Sequence, residues 1–128
     1  MRKVIRVLCP VIAVATALGV IASAAVAPSS TRSEIQLEFG DLLFSDERYG
    51  EAISAYLRAK EGAEPDQLVR ASAGLLRSLL LAAEFNRAYQ EALFFESLDH
   101  RANPQLRTLS ADGFWGYGLF DEADRIYD

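Results

Sequence analysis

Apolar and small residues recur along residues 33–128 at the three- and four-residue spacing of amphipathic helices, with short polar breaks between the runs. No stretch shows the strict two-residue alternation that is typical of a half-buried strand. The pattern therefore predicts an all-α fold. The predicted helices cover residues 33–45, 48–61, 67–82, 85–98, 104–116 and 120 onward.

Residues at the predicted helix ends fit this division. Gly62 suits the C-terminal end of the second helix, because glycine adopts the left-handed conformation without steric cost. The predicted N-terminal caps are Ser33 with Gln36 or Thr31 with Glu34 for the first helix, Asp66 after Pro65 for the third, and Asn103 before Pro104 for the fifth.

One spacing recurs three times along the chain. Ala52, Ala88 and Ala123 lie 36 and 35 residues apart, and an aromatic residue precedes each of them by three positions. Those aromatics are Tyr49, Phe85 and Phe120; nine residues before the alanines lie Leu43, Leu79 and Phe114, and twelve before lie Gly40, Leu76 and Ala111. Such a period is typical of stacked helical repeats.

Close helix packing explains the small residues in this ladder. Two antiparallel helices need small side chains where their backbones approach, and larger ones fill the space beside them. Gly40 is therefore expected to let the first helix of a pair come near Ala52 of the second. The ladder predicts helix hairpins.

The chain from about residue 33 to its end resembles the tetratricopeptide repeats, which stack 34-residue helix hairpins into a right-handed superhelix. The first copy is carried by Gly40, Leu43, Tyr49, Ala52, Tyr56, Ala59 and Pro65. The resemblance implies repeats at about 33–65, 66–103 and 104–128, the last one cut off one residue after Tyr127. The family's tryptophan is replaced by Gln36, Ser72 and Arg107.

Residues 1–30 form a separate segment, read as a signal peptide or membrane anchor, which leaves 31–128 as the repeat domain. Three basic residues precede an uncharged run over 7–27, and the small residues Ala22 and Ala24 suit a signal peptidase. Cleavage there competes with retention of the run as an inner-membrane anchor, the one contact with a membrane that the sequence indicates. Either reading places the domain outside the cytoplasm, as a periplasmic or secreted protein.

Composition excludes several classes of function. The chain is 51% apolar and 24% charged, and residues 31–128 carry ten basic and eighteen acidic residues, a net charge of −8, which disfavours nucleic-acid binding. With only Cys9 and His100, the chain has neither an internal disulfide nor a structural zinc site. Asp121, Glu122 and Asp124 enrich the start of the last helix, where carboxylates favour the helix dipole. We therefore expect no catalytic residues, cofactor or metal.

The resemblance implies a groove along the first helices of the hairpins. The family's groove positions that we select as a partner-binding surface are Asp41, Phe44, Arg77, Leu80, Asp112 and Trp115. Carboxylates at Glu34, Asp41 and Asp112 replace the lysines and asparagines with which co-chaperone members hold an acidic C-terminus. Binding of such a tail is therefore not expected.

The expected function is a non-enzymatic scaffold that binds a peptide or a partner protein in an assembly of the cell envelope. Two alternatives remain open at this stage. The chain is the N-terminal structural part of a longer repeat protein, or it is the accessory module of an envelope enzyme whose catalytic part lies elsewhere. Sequence beyond Asp128 would separate these alternatives.

Overall fold

The computed structural model describes residues 28–98, 106 and 108–128, and these residues form six helices and no strand. The helices are α1 (Ser29–Ser45), α2 (Tyr49–Lys60), α3 (Pro65–Leu81), α4 (Phe85–Glu96), α5 (Leu109–Tyr117) and α6 (Phe120–Tyr127). The predicted all-α fold is confirmed. The leader up to residue 27, the loop that holds His100 and the predicted cap at Asn103 lie outside the described residues. None of the six helices is long and apolar enough to span a bilayer.

The same turn joins α1 to α2, α3 to α4 and α5 to α6. In each turn a backbone N–H donates to the carbonyl five residues earlier, with an N···O distance of 2.9 Å: Arg48 to Leu43, Glu84 to Leu79, and Leu119 to Phe114. The residue before each donor is left-handed: Glu47 (φ 59°), Ala83 (φ 57°) and Gly118 (φ 95°). These turns repeat at 36 and 35 residues, which is the period of the alanine ladder.

The hairpins stack in chain order. α2 contacts α3 and α4 contacts α5, while the first helices also contact one another, α1 with α3 and α3 with α5. The structure thus has the packing of a helical repeat. α3, the middle first helix, buries eight of its 17 residues, including all residues from Ala71 to Leu76.

The alanine ladder lies in the core. Ala52, Ala88 and Ala123 have 0% of their surface exposed. The ladder residues that precede them on the first helices are also buried: Leu43, Leu79 and Phe114, and Gly40, Leu76 and Ala111. The aromatics three positions before the alanines behave differently, since Phe85 is 43% and Phe120 is 51% exposed.

The glycine of the ladder makes room for a tyrosine. A Cβ atom placed on Gly40 would lie 2.7 Å from a ring carbon of Tyr56, which lies one turn after Ala52 on α2. The predicted approach of Gly40 to Ala52 itself stays a prediction. The ring of Tyr56 also lies against Gly74 of α3, where a Cβ would meet it at 2.4 Å. Tyr56 thus lies between two glycines from neighbouring hairpins.

The N-terminal caps predicted for α1 and α3 are wrong. α1 begins at Ser29, directly after Pro28, so the capping positions proposed at Thr31 and Ser33 lie inside the helix. The Ser33 hydroxyl instead donates to the carbonyl of Glu61 at 3.2 Å. Proline has a φ close to the helical value, which favours it at the start of a helix, and α1 begins directly after Pro28.

The cap of α3 shows the same effect. Pro65 is its first helical residue, so Glu64 and not Asp66 occupies the cap position. The Glu64 N–H donates to Oε1 of Gln67 at 3.0 Å. The prediction for Gly62 is confirmed, because this residue follows α2 with φ 74°.

A partly buried ion pair links the first two hairpins. The Lys60 ammonium of α2 donates to both carboxylate oxygens of Glu91 in α4, at 2.7 and 2.9 Å. The two side chains are 20% and 11% exposed. Lys60 also lies 4.0 Å from the ring centroid of Phe94, and the hydroxyl of Ser72 in α3 donates to Glu91. Three helices are therefore joined through one carboxylate.

Candidate functional site

A cleft of about 350 Å³ opens where the first helices α1 and α3 contact each other. It is lined by Asp41 and Phe44 of α1, Tyr56 of α2, Arg70, Ala73, Gly74 and Arg77 of α3, and Leu106. Two arginines and one aspartate stand among aromatic and aliphatic side chains. Polar and apolar surface contribute about equally to the lining, so the cleft can contact both kinds of group on a ligand.

Tyr56 holds one wall of this cleft in place. Only 2% of its surface is exposed, and its hydroxyl donates to Oδ1 of Asp41 at 2.7 Å. Burial raises the pKa of Tyr56 well above its ordinary value, and the hydrogen bond to Asp41 raises this pKa further. The tyrosine therefore remains a neutral donor, and one oxygen of Asp41 is committed to it.

The two arginines of the cleft differ in their pairing. Arg70 contacts Oε1 of Glu34 at 2.8 Å, and Gln67 donates to the other oxygen at 3.0 Å. The hydrogen bond from Arg70 is the largest cause of the lowered pKa of Glu34. Arg77 has no ion pair with any residue in the described part of the chain. Among the described residues, Arg77 is therefore the cationic group of the cleft without an acidic partner.

The structure brings together three of the six predicted groove residues, Asp41, Phe44 and Arg77. Leu80 lies apart from them, half-buried, with its Cδ2 atom 3.2 Å from the Cβ position of Gly116 in α5. Its side chain therefore packs the joint between the second and third hairpins instead of lining the cleft.

Asp112 and Trp115 lie on α5, outside the same cleft. Asp112 accepts a hydrogen bond from the hydroxyl of Tyr127 at 2.6 Å, which repeats the bond between Asp41 and Tyr56 two hairpins further along the array. Trp115 is 52% exposed, and its ring contacts that of Phe120 edge-on at a centroid distance of 4.7 Å. Trp115 is thus an accessible aromatic on the third hairpin.

Sequence reasoning did not select Tyr56 or Gly74 for this site. Tyr56 belongs to a second helix, whereas the family resemblance directed attention to first helices. A signal was present in the sequence: Gly40 and Gly74 are the glycines that interrupt the apolar faces of α1 and α3, and both leave room for this one ring. Leu106, which also lines the cleft, was not selected either.

A second cleft, of about 360 Å³, lies between the N-terminal part of α1 and the C-terminal end of α2. Arg32, Gln36, Arg58 and Glu61 line it together with Ser29 and Gly62. Neither arginine has an ion pair within the described residues, and Oε1 of Gln36 is buried without a hydrogen-bond partner there. This end of α1 is therefore positively charged.

The described residues contain no group of three or more histidine, cysteine or acidic side chains arranged to hold a metal ion. Asp121 and Glu122 lie in the first turn of α6, as the sequence indicates. No protein-family model matches this chain, and no curated protein or solved structure matches it.

Proposed function

We propose that the chain is an exported tetratricopeptide-type array, wound as a right-handed solenoid, that acts without catalysis as a scaffold and binds a segment of a partner protein. The observation that carries this proposal is the cleft between α1 and α3, where three of the residues selected from the family's groove positions meet. A repeat array offers an extended surface of this kind instead of an enclosed reactive pocket.

The chemistry of the cleft suggests which segment would bind. Arg77 supplies a guanidinium that has no ion pair within the described residues, and such a group favours a carboxylate of the partner. Phe44 and Leu106 supply apolar surface for one aliphatic or aromatic side chain. The ring of Phe44 packs edge-on against that of Tyr49 at a centroid distance of 5.5 Å. The partner segment is expected to combine an apolar anchor with a nearby acidic group.

Selection from a random peptide library on the full-length chain tests this function. Selected peptides should be enriched in acidic residues beside an apolar one, and Arg77→Glu should weaken their binding by about tenfold or more. Arg87→Glu is the matched control, because Arg87 is an exposed arginine on α4 that pairs with Glu84 away from the cleft. The proposal fails if no peptide is enriched, or if both arginine variants bind the selected peptides equally well.

Export is tested separately. A reporter enzyme fused after Asp128 should be active only outside the cytoplasm, and mass spectrometry should find a new N-terminus near Ala25 if the leader is cleaved. Activity outside the cytoplasm with an intact N-terminus would favour the anchored form. A reporter that is active in the cytoplasm would refute export, without bearing on the cleft.

A further inference from the structure

The outer face of α1 carries a row of exposed apolar side chains. Ile35 is 55%, Phe39 is 45% and Leu42 is 57% exposed. At about 100° per residue these three fall on one side of the helix, opposite the buried Leu37 and Gly40. No helix of the described residues covers this face.

The corresponding faces of the other first helices are covered. One period later, Ala71, Leu75 and Ser78 of α3 are 0%, 2% and 0% exposed, because α2 packs against α3. Two periods later, Gly113 of α5 is buried against Ala88 and Ala92 of α4. The internal joints of the array therefore bury this face, and α1 alone among the described first helices exposes it.

The side chains on α1 do not suit the same kind of neighbour. In the joint between α2 and α3, a Cβ atom placed on Gly74 would lie only 2.4 Å from the ring of Tyr56. Glu38 stands at the equivalent position of α1, and Ile35 and Leu42 replace the small Ala71 and Ser78. Bulky residues in these places keep a repeat-type second helix at a distance. A different contact is needed to cover them.

The row extends into a heptad seam with charged ends. Arg32, Ile35, Phe39, Leu42 and Asp46 follow one another at intervals of three, four, three and four residues, which are the a and d positions of a coiled coil. All five lie within an arc of about 80° on the helix. Arg32 and Asp46 are exposed, and neither has an ion pair in the described residues.

These end charges are unfavourable for α1 by itself. Arg32 lies near the positive N-terminal end of the helix dipole, and Asp46 lies at its negative C-terminal end. In an antiparallel pair, Arg32 lies beside the negative C-terminal end of the neighbouring helix, and Asp46 lies beside its positive N-terminal end. Each charge lies seven residues from Phe39, about 10 Å along the axis, so a copy of α1 turned about Phe39 brings each Arg32 to the Asp46 of the other chain.

We propose that the seam Arg32–Ile35–Phe39–Leu42–Asp46 is a homodimer interface, in which α1 of two copies pack antiparallel about a twofold axis at Phe39. The seam is self-complementary, as a twofold interface requires. Arg58, which lines the same cleft as Arg32, adds positive charge to the end that receives the partner's Asp46. Glu38 is adjacent to the axis and faces its own copy, so it weakens the dimer.

The dimer is expected to be weak. The seam occupies one face of a 17-residue helix. It therefore buries less surface than the roughly 1,200–2,000 Å² that stable interfaces usually bury. A dissociation constant of about 10–100 µM matches a contact of this size. The interface leaves the cleft between α1 and α3 open, because Asp41 and Phe44 lie on a different side of α1.

Charge reversal in the full-length chain tests the pairing. Sedimentation equilibrium in a non-ionic detergent should show that Arg32→Asp and Asp46→Arg each raise the dissociation constant by about tenfold or more, because each change sets like charges opposite each other. An equimolar mixture of the two variants should dimerise again, since both aspartates of the first variant then face arginines of the second. Arg87→Asp changes the net charge by the same amount as Arg32→Asp but lies on α4, and it should leave dimerisation unchanged.

Three results would overturn the proposal. The first is a wild-type chain that is monomeric at concentrations well above about 100 µM. The second is single variants that associate as strongly as the wild type, as association through residues 1–27 would give. The third is an equimolar mixture that stays monomeric. Circular dichroism of each variant should match the wild type, because both substituted side chains are exposed. Glu38→Gln should strengthen the dimer.

Discussion

Alanine at Gly74 tests the contact that joins the first two hairpins. The substitution adds one Cβ atom to α3, at 2.4 Å from two ring carbons of Tyr56 and 2.8 Å from a third. Ordinary van der Waals contact needs about 1 Å more. The ring cannot move away easily, because Gly40 lies against it on the side of α1 and its hydroxyl is bound to Asp41.

The magnitude follows from two opposing effects. Alanine favours the helix by about 1 kcal/mol relative to glycine. Overpacking of a core costs about 1–3 kcal/mol, and displacement of Tyr56 would also weaken its charged hydrogen bond, worth about 1.5–3 kcal/mol. We expect Gly74→Ala to lower the free energy of unfolding by about 1–3 kcal/mol. Gly50→Ala is the matched control, because a Cβ at Gly50 has no atom within 4 Å, and it should stabilise the protein by about 0.5 kcal/mol.

Urea denaturation of the full-length chain, followed by circular dichroism, measures both variants. A double-mutant cycle with Tyr56→Leu identifies the contact: the combined variant should be more stable than the sum of the single effects by about 1 kcal/mol. The reasoning is refuted if Gly74→Ala is as harmless as Gly50→Ala. It is also refuted if Gly74→Ala destabilises by the same amount with leucine at position 56.

Three further expectations concern other parts of the molecule. Glu91→Gln should lower the free energy of unfolding by about 3 kcal/mol, because it leaves the largely buried charge of Lys60 without a compensating carboxylate. Urea denaturation at neutral pH measures this, and a change below about 1 kcal/mol would show that the ion pair is dispensable. Burial and the hydrogen bond to Asp112 raise the pKa of Tyr127 to about 12. The unfolded chain therefore loses the phenol proton at a lower pH than the folded chain, and the free energy of unfolding should fall between about pH 10 and 12. A Tyr127→Phe variant with an unchanged pH profile would contradict this. Trp115 lies outside the cleft, so it contacts a bound peptide only if the peptide continues along the first helices to α5. In that case Trp115→Ala should weaken binding of library-selected peptides by about 2 kcal/mol and lower the melting temperature only slightly, since the side chain is 52% exposed. Loss of stability together with binding would identify Trp115 as a packing residue.

The helices and their period could be predicted because they depend on local pattern. Apolar residues at helical spacing define which side of each segment is buried, and Ala52, Ala88 and Ala123 are all fully buried. The three turns repeat at the same 36 and 35 residues, since each copy must place its helix pair in the same way. Helix starts were less predictable at Ser29 and Pro65, where a proline competes with several possible capping residues.

The candidate site was predictable only in part. Asp41, Phe44 and Arg77 share a cleft as the resemblance implied, because they lie on the facing sides of two neighbouring first helices. Leu80 does not join them, since the third hairpin approaches closely enough at Gly116 to cover it. Whether a side chain lines a groove or packs a joint depends on the distance between hairpins, which the sequence pattern does not contain.

By itself, the sequence determined the all-α class, the number of hairpins and the residues that form their core, because helix periodicity and the need to bury apolar surface act over neighbouring turns. The tertiary structure decided which residues meet: Tyr56 lies between Gly40 and Gly74, and Lys60 pairs with Glu91. It also showed that no described helix covers one face of α1. The paired positions lie 16 to 31 residues apart, and their geometry follows from how closely whole helices pack.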